Sequence, residues 1–361
     1  MAAKIALGIE TSCDDTSLAI LQGDPDNLSQ RPKVLAHHSF SQIEILKKWG
    51  GVVPEIAARN HLYKLVPLLK EVLRTAKLEI EEIDLIGVTT EPGLLGPLLT
   101  GLNTAKTIAL RTETPIVPIN HLYAHLEAIF ISDEVSYPYL GLLISGGHTM
   151  YLYVESPKRL EVLGSTIDDA AGEAFDKGGK QLGLPYPAGR DIDKLAKKGN
   201  KDAYHFPIGL KSSADCNFSF SGLKTSLRTF IEKQESQNLK YDLNDVCASY
   251  QEAISNALKL KLNYALKMVK EKTGKNSLPL VVGGGVACNS RIREVLTEVH
   301  SEVYFVKPEY CTDNGAMIAN YTLRTADSKI DFPDCLYIDA RGKFVDKKKL
   351  MDLYKCKGEH V

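Results

Sequence analysis

The 361-residue sequence predicts a duplicated α/β fold, with two lobes facing one another across a cleft and helical insertions in each. Two observations carry this expectation. Each half opens with an apolar run that ends in a small polar loop and returns as a second apolar run, a hairpin pattern. Each half then repeats strand, tight loop, helix. The chain is about twice the usual domain length, and 44% hydrophobic residues suffice for one large or two medium cores.

In the first half, residues 4–10 form the opening strand, Thr11-Ser12-Cys13-Asp14-Asp15-Thr16 the loop, and residues 18–22 the return. Residues 56–75 follow as a helical insertion, because Ile56, His61, Leu65, Leu68, Leu69 and Val72 recur at helical spacing; such an insertion can cap the lobe or dock a partner. Residues 85–90 then lead through a Gly/Pro loop into a helix at 98–110, and residues 115–119 lead into a helix at 121–130.

The second half repeats the scheme. Residues 139–144 turn at Ser145-Gly146-Gly147-His148-Thr149 and return at 150–155. Residues 159–243, rich in Gly, Lys and Asp, read as a second helical insertion carrying surface contacts. Residues 278–282 pass through Gly283-Gly284-Gly285 into a helix at 290–296, and residues 303–306 precede a helix at 313–321 opened by Asp313. The lobes are expected at 1–138 and 139–325, followed by an extension at 326–361 whose Lys347-Lys348-Lys349 reads as solvated surface.

A net charge of -1 gives no global basic field, which excludes a protein that coats nucleic acid nonspecifically. A nucleic acid would have to meet a local patch or a partner's surface. Lys194, Lys197, Lys198, Lys201, Lys211, Lys224 and Arg228 could form such a patch, although a solvated insertion face is the favoured reading. Seven scattered cysteines without a C-x-x-C pair fit reduced thiols, no signal-like start is present, and no run of about 18 apolar residues occurs. A soluble cytoplasmic protein without membrane contact is expected.

His121 and His125 stand four apart in a helix, so both imidazoles leave one face and can meet a single ion. Asp313 starts the corresponding helix of the second half and would face them across the cleft. Two imidazoles and one carboxylate leave coordination positions open, and both Fe(II) and Zn(II) suit them. Peptidase chemistry is excluded here, since neither H-E-x-x-H nor H-x-x-E-H occurs in His121-Leu122-Tyr123-Ala124-His125.

Ser145-Gly146-Gly147 and Gly283-Gly284-Gly285 follow apolar strands, where bare backbone amides can approach phosphate or carboxylate oxygens. Buried tight turns explain each alone; at matching sites of a duplicated fold the pair favours a nucleotide in the cleft. The G-x-x-x-x-G-K-[ST] pattern is absent, so this is not a P-loop enzyme. Asp14 and Asp15 fit turn chemistry as well as catalysis, Asp176 and Asp193 fit solvated helix faces, and Asn289 fits a helix cap as well as a substrate contact.

Taken in order, GIETSCDDTS, the histidine pair, LISGGHT, DDAAGEAFDKGGK, FSFSGLKT, GGGVACN and CTDNGAM resemble the TsaD family of tRNA threonylcarbamoyltransferases, within the actin-like, sugar-kinase and Hsp70 ATPase superfamily. The match runs from about residue 4 to about residue 325, and it implies the duplicated actin-like, ribonuclease H-like two-lobed fold. The resemblance implies a metal bound by His121, His125 and Asp313, one divalent ion per subunit with Fe(II) ahead of Zn(II). It implies substrate contacts from Leu143, Ile144, Ser145, Gly146, Gly147, Asp176, Gly189, Asp193 and Asn289. The implied reaction moves the threonylcarbamoyl group of threonylcarbamoyl-AMP to N6 of adenosine 37 in tRNAs reading codons that begin with A, releasing AMP. Asp14, Asp15 and His148 are then the candidates for orienting the amine or accepting its proton.

Implied partners are tRNA, a related actin-fold subunit and a small ATPase, docked through a helical hairpin that includes residues 56–75. Two departures stand out: Tyr123 replaces a Glu often found between the histidines, and Asp15 stands where Glu often follows Asp. An ATP-dependent small-molecule kinase or a non-catalytic partner subunit of the same fold are the rival readings. All three ligands and both glycine loops argue against the second.

Overall fold

The computed structural model describes residues 3–343. Its first sheet is built from β1 (Lys4–Glu10), β2 (Asp15–Gly23), β3 (Lys33–Ser41), β4 (Leu85–Glu91) and β5 (Ile116–Asn120), in the spatial order β3-β2-β1-β4-β5. The β1–β2–β3 ladder is antiparallel, whereas β4 and β5 join in parallel. The second sheet uses β6 (Tyr139–Ile144), β7 (Thr149–Ser156), β8 (Arg159–Ser165), β9 (Leu280–Gly283) and β10 (Val303–Phe305), ordered β10-β9-β6-β7-β8 with the same antiparallel and parallel senses. One sheet thus repeats the other strand for strand, which bears out the duplicated α/β fold. The central strands β1 and β6 are covered on both faces, so their buried residues run continuously instead of alternating.

The first lobe carries α1 (Ile43–Leu46), α2 (Pro54–Ala76), α3 (Leu95–Thr112) and α4 (His121–Glu127). Helix α2 starts on Pro54, whose fixed φ suits a first helical position, and buries Ala57, His61, Leu65 and Val72. The second lobe carries α5 (Ala171–Gln181), α6 (Gly189–Ala196), α7 (Ser221–Ser236), α8 (Leu243–Thr273), α9 (Ser290–Val299), α10 (Pro308–Cys311) and α11 (Gly315–Arg324). The long α8 stops at Gly274, whose φ of 71° is the left-handed cap that glycine adopts without cost.

Two helices cross between the sheets. α11 lies on β1, β2 and β4 of the first sheet, while α4 lies against β6 and β9 of the second. Missing side chains permit the approach: a Cβ on Gly8 would sit 2.3 Å from the Gly315 carbonyl oxygen, and one on Gly283 would sit 2.7 Å from that of His125. The starts of both helices therefore meet between the two sheets.

Four sequence expectations are corrected. Residues 159–165 are strand β8, so the second insertion becomes helical only from α5 onward. β3 was not foreseen; it is an edge strand whose half-exposed polar residues lack clean alternation. Asp313 does not open a helix, because Asn314 is the cap of α11 and accepts from Met317 N at 2.8 Å. Nor are residues 326–342 a solvated tail. Ile330 exchanges both backbone hydrogen bonds with Ile116, Cys335, Ile338 and Ala340 join the first lobe's core, and Arg341 N donates to Thr90 O at 2.8 Å. Lys347, Lys348 and Lys349 lie outside the described residues.

Candidate active site

His121 is the first residue of α4, a helix started by Asn120, whose side-chain oxygen accepts from Leu122 N and Tyr123 N. Spacing by four places His125 on the same face, and both rings are buried. Their Nε2 atoms are 3.2 Å apart, and Asp313 Oδ1 lies 3.1 Å from that of His125 and 3.4 Å from that of His121. Ligand atoms each about 2.1 Å from one ion are separated by about 3.0 Å in octahedral and about 3.4 Å in tetrahedral geometry. The observed triangle falls within that range, so these residues fit a divalent cation. Among the described residues they are the one such cluster.

The electrostatics agree with a site arranged for positive charge. Burial would raise Asp313, but His121 and then His125 hold its carboxyl well below the ordinary carboxylate range. Burial opposes a charged His121, yet Asp313 and Glu10 push its pKa well up. His125 goes the other way, lowered by burial and then by the neighbouring His121.

Asp14 and Asp15 flank this cluster in the first hairpin. Burial and then the Asp313 charge raise both carboxyls, Asp15 to about 7, and Asp15 Oδ1 is buried without a hydrogen-bond partner. His148 is lowered to about 4 by burial, then by the charges of His121 and His125. The same hairpin is tied to α2, since His61 Nε2 lies 3.0 Å from Cys13 O and its Nδ1 lies 2.8 Å from Thr16 Oγ1.

The glycine loops converge beside the triangle of His121, His125 and Asp313. Gly146 and Gly147 are exposed, and a Cβ on either would meet nothing within 4 Å, so their backbone faces open space. Gly284 adopts φ +91°, and its Cβ would lie 2.4 Å from the Ile144 carbonyl oxygen; the two loops touch only because that position lacks a side chain. Leu143 and Ile144 put their side chains into the core, leaving the strand end to present backbone.

The remaining residues expected to bind substrate are each fixed by hydrogen bonds within the second lobe. Asp176 Oδ1 accepts from Ala188 N at 2.8 Å, next to Gly189 at the start of α6. Asp193 Oδ1 accepts from Ser290 Oγ at 2.6 Å, and Asn289 caps α9 through Ile292 N while donating to Gln251 Oε1. In the basic patch, Lys197, Lys201 and Arg228 pair with Asp193, Asp202 and Glu232, as expected of a solvated face.

Sequence reasoning missed Glu10. It ends β1 fully buried, its Oε2 3.1 Å from His121 Nδ1. Burial alone would raise its pKa; the adjoining His121 overrules it and the carboxyl stays below its ordinary value. The available signal was a carboxylate closing an otherwise apolar central strand.

Two sheets of one topology, helices exchanged between them, and a His-His-Asp cluster beside paired glycine loops define an enzyme of the actin-like two-lobed class. The fold is shared with component A of (R)-2-hydroxyglutaryl-CoA dehydratase from Acidaminococcus fermentans, at 17% identity and a TM-score of 0.52 over 90% of this chain and 99% of that one. It is shared also with HypF of T. kodakarensis, at 13% identity and a TM-score of 0.55 over 89% and 47%.

The family model TsaD, described as tRNA N6-adenosine threonylcarbamoyltransferase, matches residues 33–320, and the chain belongs to that family of transferases. Relatives bearing that name include proteins of Anaeromyxobacter sp. (strain Fw109-5), 46% identical over 87% of this chain and 92% of the relative, and of Thermosipho melanesiensis, 44% identical over 91% and 98%. A third, from Streptococcus equi subsp. equi, is 41% identical over 88% and 91%.

Proposed function

We propose that the chain transfers the threonylcarbamoyl group from threonylcarbamoyl-AMP to N6 of adenosine 37 in tRNAs reading codons that begin with A, releasing AMP. The observation that carries this reading is the close approach of Gly283, in the Gly283–Gly285 turn, to the His125 backbone, which brings a glycine turn beside the His121, His125 and Asp313 triangle. Acyl transfer from an adenylate needs both: donors for a phosphate that leaves with growing charge, and an electrophilic centre for the acyl oxygen. His121, His125 and Asp313 would hold a divalent ion, Fe(II) ahead of Zn(II), which would supply the Lewis acidity.

The chain's own groups do the rest. The open amides at Gly146 and Gly147 donate to phosphate oxygens, and Asp193 and Asn289 brace the α9 start. Asp15, with a free oxygen and a pKa near neutrality, accepts the proton that N6 loses, while Asp14 orients the amine. His148, held neutral by burial, stands beside the histidine pair as an uncharged hydrogen-bonding group. The target adenine is unstacked more cheaply in an anticodon loop than in a duplex.

Partners are part of the proposal. α2 buries one face and exposes Leu62, Tyr63 and Val66 on the other, an apolar patch suited to a related actin-fold subunit, with a small ATPase completing the assembly. No helix among the described residues is long and apolar enough to cross a membrane, and the six cysteines among them are free thiols, which supports a cytoplasmic location. The deciding experiment is mass analysis of tRNA nucleosides after depleting the protein. Loss of threonylcarbamoyl-adenosine is expected; its persistence in a strain with no second such enzyme overturns the reading.

A further inference from the structure

The two histidines of the triangle are held unequally. His125 Nδ1 is buried and has no hydrogen-bond partner, so that ring is steered only by its Nε2 contacts and by packing. His121 Nδ1 instead faces Glu10 Oε2 at 3.1 Å, with Ser12 Oγ at 3.3 Å. Glu10 is itself fixed: Ser12 N donates to its Oε1 at 2.6 Å, and Thr89 Oγ1 donates to its Oε2 at 2.6 Å. The strands dictate this meeting. Gly8 of β1 pairs in register with Gly87 of β4, so Glu10 and Thr89, two residues on, share the sheet face that α4 and α11 cover. A fully buried carboxylate is costly unless its oxygens are satisfied, and here three donors converge on it.

We infer that Glu10 is a positioning residue that holds the His121 proton on Nδ1 and thereby points the Nε2 lone pair at the cation. Glu10 is not a fourth ligand, because it lies behind the ring, on the side opposite the Nε2 atom that faces His125 and Asp313. A carboxylate behind a ligating imidazole fixes its tautomer and orientation and raises its basicity. Among the described residues His125 has no such support on its Nδ1, so the loss of Glu10 falls on the better-anchored ligand. The inference deepens the metal reading above and rests on it.

The test titrates Zn(II) and Co(II) into metal-free full-length protein, comparing wild type with Glu10→Ala, Glu10→Gln and, as control, Asp313→Ala. Glu10→Ala should bind zinc about 10- to 100-fold more weakly and shift the visible spectrum of bound Co(II). Proton NMR of the zinc-loaded wild type should show one far-downfield imidazole N–H from the Nδ1–H to carboxylate bond. That signal should vanish in Glu10→Ala and move upfield in Glu10→Gln, which keeps one acceptor oxygen and should bind with intermediate affinity. Should Glu10→Ala not fold, as its metal-free melting curve will report, the isosteric Glu10→Gln decides by the same readouts. Wild-type affinity together with an unmoved N–H signal in Glu10→Gln overturns the role of Glu10 while sparing the metal site. Failure of wild type itself to bind either ion overturns both.

Discussion

Arg324 Nε donates to Glu127 Oε2 at 2.6 Å, with both side chains almost wholly buried, and so joins the end of α11 to the end of α4. These are the helices whose beginnings bring Asp313 to His121 and His125. The ligand triangle is thus one end of a helix pair and the ion pair is the other. Tyr137 and Tyr139 donate to Glu127, Arg324 also reaches Leu28 O, and Asn320 Nδ2 donates to the Glu127 carbonyl.

Removing one partner of such a pair strands a buried charge. Arg324→Met should therefore destabilise the fold by about 3–5 kcal/mol, while the double change with Glu127→Gln should recover much of the loss. Urea denaturation of the single and double variants measures this. The single variant should also bind Zn(II) more weakly, because the crossing helices set the triangle; unchanged stability would mean that the Asn320 bond and apolar packing suffice.

The pH behaviour of Asp15 follows from its surroundings. Its folded pKa of about 7 lies above the ordinary 3.8, so the folded state keeps a proton that the unfolded chain releases. This contribution to stability is complete below about pH 4 and is lost as pH rises through 7. In metal-free protein, Asp15→Asn should accordingly raise the melting temperature at pH 8 and leave it unchanged at pH 4. As a general base, Asp15 must be ionised, so the transfer rate should climb with pH along an acid limb. A cation beside Asp313 cancels one cause of the raised pKa and moves that limb below 7. A pH profile retaining the same limb in Asp15→Asn would assign the proton to another acceptor.

The outward face of α2 is the expected docking surface for the actin-fold partner. Tyr63 is 75% and Leu62 65% exposed, and aromatic anchors of that kind dominate protein interfaces. Tyr63→Ala should weaken the complex about 10- to 100-fold, and Leu62→Asp with Val66→Asp should abolish it in gel filtration, with melting temperatures unchanged because none of the three supports the core. The opposite face holds the Asp14–Asp15 hairpin through His61, so the weakened complexes should also transfer more slowly. Unaltered elution of the double variant places the interface elsewhere.

Much of this was legible in the sequence, for a physical reason in each case. The apolar runs of β1 and β6 mark both strands, because both are covered on two faces; Glu10, which closes β1, interrupts the pattern. The His121–His125 spacing speaks for itself on any helix. Other features depend on partners distant in sequence. β3 reads His37-His38-Ser39-Phe40-Ser41 and is held by its ladder to β2 rather than by burial. β8 carries Arg159 and Glu161 as an edge strand does. Residues 330–342 spread three buried side chains among charged neighbours, so no period marks them. Glu10 looks like a loop residue until Thr89 and His121 are set beside it.

In the proposed reaction, anchoring and acyl activation fall on different elements, and the backbone geometry tells which substitutions would separate them. Gly284→Val is a poor probe, because φ +91° and a Cβ 2.4 Å from Ile144 O would distort both glycine loops at once. Gly146→Val is a clean one: its Cβ meets nothing, so the fold should tolerate it while the side chain shields the amide meant for phosphate. In single-turnover reactions with preformed threonylcarbamoyl-adenylate and tRNA, Gly146→Val should weaken adenylate binding roughly tenfold and leave the rate at saturation near wild type. His125→Ala should do the reverse, lowering the saturated rate by about 100-fold or more with a small change in affinity, since stabilisation of the acyl oxygen grows toward the transition state. If His125→Ala lost affinity alone, its triangle would be an anchor for the substrate, and activation would have to come from the open amides and from Asp15.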